Sequence, residues 1–203
     1  TITTEGAPPL ELPVWRMLER GGARIAVIGM TASYLEQWFW GDDFSGYQVE
    51  PALQRLKQVM PAIHQKKPDM IVLAIHQGWL PEDTRGVNEV VEIARRFPEI
   101  DLILGGHTHW EHAGRKIGPK TWYVQAGRHA DLLGVVRAQV DVTAHKVVNI
   151  TSRLVIPGPE VPALPAAEAA VKDWLERTKE YGKRRVAELA APVHASGQPG
   201  INC

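Results

Sequence analysis

The chain has 203 residues, of which 44% are hydrophobic and 23% charged, an ordinary globular composition with length enough for one sizeable core. Lys+Arg and Asp+Glu both number 23, so net charge offers no general attraction to nucleic acid or to an anionic membrane. The one cysteine, Cys203, excludes a disulfide framework or thiolate metal site within the chain, and no apolar run approaches the ~20 residues of a membrane span.

Residues 1–20 contain proline and little periodicity, and read as a connecting segment or the remnant of a hairpin. Ala23–Gly29 is β-branched and almost continuously apolar, which predicts a buried strand. The next stretch, Met30–Gly46, holds Trp38, Phe39, Trp40, Asp42, Asp43 and Phe44. A loop this aromatic is either a cap over a pocket or a lid on the core, and the acidic pair reads as a solvated turn. Over residues 49–65, Leu53, Leu56, Val59, Met60 and Ile63 share one helical face. Pro51 is tolerated near its start, whereas Pro61 is expected to kink the helix or end it early.

Met70–Ile75 is the clearest strand and ends at His76-Gln77-Gly78. A second helix is predicted over 86–97, followed by a strand, Ile100–Leu104, that runs into Gly105-Gly106-His107-Thr108-His109. Strands and helices alternating at this spacing predict an α/β layered sheet with parallel pairing. Beyond it, His112–Ile117, Thr121–Gln125, Leu133–Val142 and Lys146–Ile156 read as antiparallel strands and hairpins. Pro157–Pro165 forms a linker, residues 166–190 a charged amphipathic helix, and 191–203 a loose tail.

The Gly-Gly-His-Thr-His element carries the chemistry. Histidines spaced i, i+2 can turn their rings to one side of an extended backbone, and the glycines clear space for close approach. Neutral imidazole is the commonest protein ligand for transition metals. His76 also ends a strand, and in open α/β sheets ligands gather beyond the carboxyl ends of the strands. His76, His107 and His109 are therefore the candidate metal ligands.

Four segments occur in a telling order: Arg24–Thr31, Ile71–Gly78, Gly105–His109 and Val124–Arg128. In these the chain resembles the calcineurin-like metallophosphoesterases, in the branch with 5′-nucleotidases and 2′,3′-cyclic phosphodiesterases. The resemblance implies part of a four-layered αββα sandwich with mixed sheets around a dinuclear metal site, plus a C-terminal helix. It further implies that His76 and His107 ligate one metal and His109 the other, with Gln125-Ala126-Gly127 as a structural turn nearby. The implied cofactors are two divalent ions (Mn, Zn or Fe), and the implied reaction is hydrolysis of a phosphate monoester such as a nucleotide by metal-bound hydroxide. A small-molecule phosphate ester is thus the expected partner, in a periplasmic or extracellular setting.

The departures from that pattern are specific. The family's Asp-x-His and Asn-His motifs occur nowhere in the chain, so no catalytic acid is assigned to it. The expected organisation is residues 1–157 as the carboxyl-proximal part of a catalytic domain, 158–165 as linker, and 166–203 as a helix leading towards a further domain. With the amino-terminal half of the domain missing as its partner, such a piece is expected to be inactive alone. The alternatives are a thiosulfohydrolase-like relative, which shares the Gly-Gly-His-Thr-His signature, and a non-catalytic metal-binding or interaction module.

Overall fold

A computed structural model of the chain describes residues 2–4, 12–39, 44–80 and 87–188. Trp40, Gly41, Asp42, Asp43 and the tail 191–203 lie outside the described residues. The strands are β1 (Ile2–Thr4), β2 (Trp15–Arg20), β3 (Ala23–Met30), β4 (Tyr47–Val49), β5 (Met70–Ile75), β6 (Leu102–Leu104), β7 (Glu111–Ile117), β8 (Thr121–Ala126), β9 (Leu133–Asp141) and β10 (Lys146–Val155). The helices are α1 (Ala52–Gln65), α2 (Val90–Arg96) and α3 (Pro165–Gly182), with a 3-10 turn at Leu35–Trp38. Two compact units result, residues 1–157 and 158–203.

The first unit is built on a six-stranded sheet of order β2-β3-β5-β6-β8-β7. Its four central strands are parallel, and β2 and β7 are antiparallel edges. The segment before residue 21 thus supplies the first arm of a hairpin, turned by Gly21 and Gly22 at φ +56 and +80, where glycine carries no Cβ penalty. Strand periodicity divides the core. One face of the sheet (Ile28, Ile71, Leu73, Ile103, Tyr123) packs on Leu56, Met60 and Ile63 of α1 and on Val90 and Ile93 of α2. The other face (Met70, Val72, Leu102, Val124) is covered by Val136, Val140, Ile150 and Leu154 of the β9–β10 hairpin. The first unit therefore has an α layer, a mixed sheet and the smaller β9–β10 sheet, and β1 and β4 form a further two-stranded antiparallel sheet.

Three boundaries differ from the sequence expectation. Helix α1 starts at Ala52 rather than at residue 49, and it does not end early at Pro61 but runs to Gln65, with Leu56, Val59, Met60 and Ile63 buried on its inner face and Pro61 exposed. Helix α2 begins only at Val90, with Glu89 as its N-cap. In the second unit, α3 stops at Gly182 and residues 184–188 are not helical; none of its side chains is buried, so no packing extends it past a weak helix former.

Candidate metal centre

The parallel pairing of β5 with β6 sets Ala74 opposite Leu104, and the chain emerging from each strand arrives at the same edge of the sheet. There the Gly106 N–H donates to Gln77 O at 3.0 Å, and the Gly105 N–H donates to Val124 O at 2.9 Å. A Cβ on Gly105 would run into the Tyr123 ring, and one on Gly78 into the Thr108 side chain. At Gly106 it would come to 3.4 Å from His76 Nδ1. At Gly105 and Gly78 glycine is required by closeness of approach, whereas at Gly106 the added carbon would make an ordinary contact.

The two histidines of the motif do not lie on extended backbone. His107 and His109 have φ +70 and +59, left-handed conformations that bend the loop twice in three residues. The Thr108 N–H donates to Gly106 O at 2.8 Å, and Thr108 Oγ1 donates to Gln125 Oε1 at 3.1 Å, pinning the turn between them. The rings consequently diverge. His76 and His107 meet with centroids 5.3 Å apart, while His109 faces His129 at 5.6 Å. Of the three sequence candidates, the structure brings two together as a pair and sets the third beside a histidine the sequence reading passed over.

Both pairs have a spacing suited to a shared ion. A metal–nitrogen bond of about 2.0–2.1 Å puts a ligating ring's centroid roughly 3 Å from the metal, so two imidazoles on one tetrahedral ion have centroids about 5 Å apart. Among the described residues no three His, Cys, Asp or Glu side chains converge on one point, so each pair supplies half a ligand set at most. Partial loss of water pushes the His76 and His107 imidazoles below their ordinary pKa, and neighbouring imidazoles add to the effect. Both are thereby held neutral, as a ligating imidazole must be.

Trp38 stacks on His107 at 4.6 Å with a 22° interplanar angle and presents its edge to His76 at 6.1 Å. Tyr34 closes the group, edge-on to His107 at 5.6 Å. The aromatic loop is thus a cap over the imidazole pair as far as its described residues go. Beneath the pair, the fully buried Gln77 donates to Ser33 Oγ at 3.1 Å and Glu89 Oε2 at 3.0 Å, and accepts from the Glu89 N–H at 2.6 Å. The same carboxylate accepts from the N–H groups of Ala52 and Leu53 at 3.3 Å, satisfying the open N-terminus of α1. On the other side, the Tyr123 hydroxyl accepts from the Trp79 N–H at 3.0 Å and donates to Gln125 Oε1 at 2.5 Å. Its burial pushes the phenol pKa up to about 12, so it stays a neutral donor.

Sequence reading missed Trp38 as a specific contact, along with Gln77, Glu89, Tyr123 and His129. Only His129 had a local signal, following directly on Val124–Arg128; the others depend on contacts between distant segments. A separate cavity of about 730 Å³, lined by Asp69, Trp122, His145 and Lys146 among others, lies at the opposite, amino-terminal end of the strands and is not part of this cluster.

No family model matches the chain. Among curated proteins it is similar to protein UshA of Yersinia enterocolitica, 30% identical over 99 residues, covering 46% of this chain and 18% of that protein. It is 29% identical over 133 residues to the uncharacterized metallophosphoesterase YunD of Bacillus subtilis, covering 66% of this chain and 26% of that protein. A 5′-nucleotidase of Vibrio vulnificus is 27% identical over 99 residues, covering 46% of this chain and 18% of its own length. The chain therefore spans about a fifth to a quarter of these relatives. In fold it is similar to the calcineurin-like phosphoesterase YfkN of Bacillus subtilis, with TM-score 0.73, 15% identity, and 90% of this chain and 62% of that one covered. It is similar in the same way to the Thermus thermophilus sulfate thiohydrolase SoxB, with TM-score 0.72, 23% identity, and 88% and 31% covered.

Proposed function

We propose, for a chain that belongs to the calcineurin-like metallophosphoesterase superfamily in its 5′-nucleotidase branch, that it carries the histidine-rich side of a dinuclear centre hydrolysing phosphate monoesters, nucleotides in particular. The observation that carries this reading is the His76–His107 pair, 5.3 Å apart at the carboxyl edge of a parallel sheet. The donor set fits a divalent transition ion such as Mn, Zn or Fe, for which neutral imidazole is an apt ligand. When bound, two such cations supply a clamp for the attacking and leaving oxygens of an in-line displacement.

Each residue of this chain then has a task. His76 and His107 would hold one ion, and His109 would take part in holding the other. Trp38 and Tyr34 keep bulk water from the pair. The Gln77–Glu89–Ser33 network fixes the end of β5, and Tyr123, Gln125 and Thr108 fix the glycine-histidine loop, so both imidazoles are oriented before an ion arrives. The acid for the leaving group is assigned to no residue of this chain.

The test is metal content of the purified chain, wild type against His76→Ala and His107→Ala, with p-nitrophenyl phosphate and AMP hydrolysis assayed alongside. Loss of bound Mn or Zn in both variants is expected, with any hydrolysis lost in step. Metal retained unchanged in both would overturn the reading.

A further inference from the structure

The His109 ring faces His129, so the loops at this sheet edge carry a second imidazole pair beside that of His76 and His107. The rings are 5.6 Å apart at a 65° interplanar angle, close to the separation of the first pair. Both imidazoles are exposed, and neither has an ion pair or hydrogen bond to a carboxylate among the described residues. The backbone that brings them together is costly to form. His109 has φ +59, His129 φ +51 and Ala130 φ +61, each in the left-handed region that side chains disfavour by about 1–2 kcal/mol. Ala130 is neither glycine nor asparagine, so this loop is held in place from outside. Its outside anchor is the Gly127 N–H donating to Trp110 O at 3.1 Å, and its own turn is closed by the Asp131 N–H donating to Arg128 O at 2.9 Å. The first of these ties the loop after β8 to the residue next to His109. Left-handed residues of this kind persist where the surrounding structure holds them, and they cluster at active sites and ligand clamps.

We propose that His129 joins His109 as a second imidazole ligand, so that the two form the protein's contribution, from this chain, to the second divalent ion. This rests on the reading of the site as a dinuclear metal centre. It changes that reading in one respect: the second ion takes two nitrogen ligands from loops after β6 and β8 rather than His109 alone. Two imidazoles would make that ion's environment more nitrogen-rich and favour borderline ions such as zinc over manganese.

The 203-residue chain is titrated with Zn²⁺, affinity being read by calorimetry and ring involvement by long-range ¹H–¹⁵N spectra of the histidines. Wild type is compared with His129→Ala, the more conservative His129→Gln, His109→Ala and His76→Ala. The His109 and His129 ring signals are expected to move together in one binding step, separate from those of His76 and His107. Both His129 variants should weaken that step by about tenfold or more, since even outer-shell partners of a ligand are worth 10–100-fold. They should leave the His76–His107 step unchanged, which also reports that the fold is intact. If both His129 variants bind as wild type while His109→Ala is weakened, the proposal is overturned and the dinuclear reading stands. If neither His76→Ala nor His109→Ala alters zinc binding, the dinuclear reading falls and this proposal with it.

Discussion

At the scale of single residues, the site is made by what is absent at Gly105. A methyl group there would occupy the space of the Tyr123 ring, whose hydroxyl bonds Trp79 and Gln125, so neither ring nor loop can yield cheaply. Gly105→Ala is expected to cost about 1–3 kcal/mol, the usual penalty of overpacking, and to weaken metal binding by displacing His107. Gly29 is the internal control: nothing lies within 4 Å of its would-be Cβ. Gly29→Ala should be neutral or stabilise by a few tenths to about 1 kcal/mol, because it removes unfolded-chain freedom from a strand. Urea unfolding of the two variants checks the contrast. The need for glycine in the motif was legible in the sequence, but its cause, a tyrosine eighteen positions on, was not.

At the scale of elements, α1 shows packing overriding a local rule. Pro61 lacks the N–H that would bond back one turn, yet the helix continues to Gln65 because Leu56, Met60 and Ile63 are locked against the sheet. Pro61 is exposed, so replacing it should restore a hydrogen bond without disturbing the core. Pro61→Ala is expected to stabilise the first unit by about 1–3 kcal/mol, less the smaller amount that proline contributes by stiffening the unfolded chain. A thermal melt showing no gain or a loss would mean the ring itself packs usefully. The start of α1 has the converse character. Its first residues carry no capping side chain of their own, and the Glu89 carboxylate arrives from the far side of the sequence to accept their N–H groups. Periodicity predicted this helix; nothing local predicted its cap.

At the scale of the whole first unit, the end of the sheet remote from the histidines is tied together by Asp69. This buried carboxylate accepts from the Arg24 N–H at 2.6 Å and pairs with His145 Nδ1 at 2.5 Å, joining β3 and the start of β5 to the turn of the β9–β10 hairpin. The Arg24 bond first, and then His145, hold its pKa below the usual 3.8. A carboxyl whose folded pKa is depressed contributes stability above its unfolded pKa and loses it as pH falls towards the folded value. Asp69→Asn should therefore be less stable than wild type near neutrality, with the gap closing below about pH 4 as the wild-type carboxyl protonates. Asp101 acts with opposite sign, because burial raises its pKa, but it is common to both proteins and cancels in the comparison. Urea midpoints at several pH values measure the gap, and a gap constant from neutrality to pH 3 would show that the pair does not carry this linkage.

The alternation of apolar strands and amphipathic helices, the layered α/β class and the three histidines at strand ends can all be read along the chain. These follow from short-range periodicity and composition, which act before any long-range contact forms. How the histidines group depends on the folded loops. His107 and His109, two residues apart, are turned to different partners by left-handed backbone that contacts from Gly78, Tyr123 and Gln125 enforce. His129, twenty positions further along, comes within ring distance of His109 because parallel strands β6 and β8 end at the same edge. A ligand set is a matter of where loops end in space, and that is settled by sheet order and loop packing rather than by spacing along the chain.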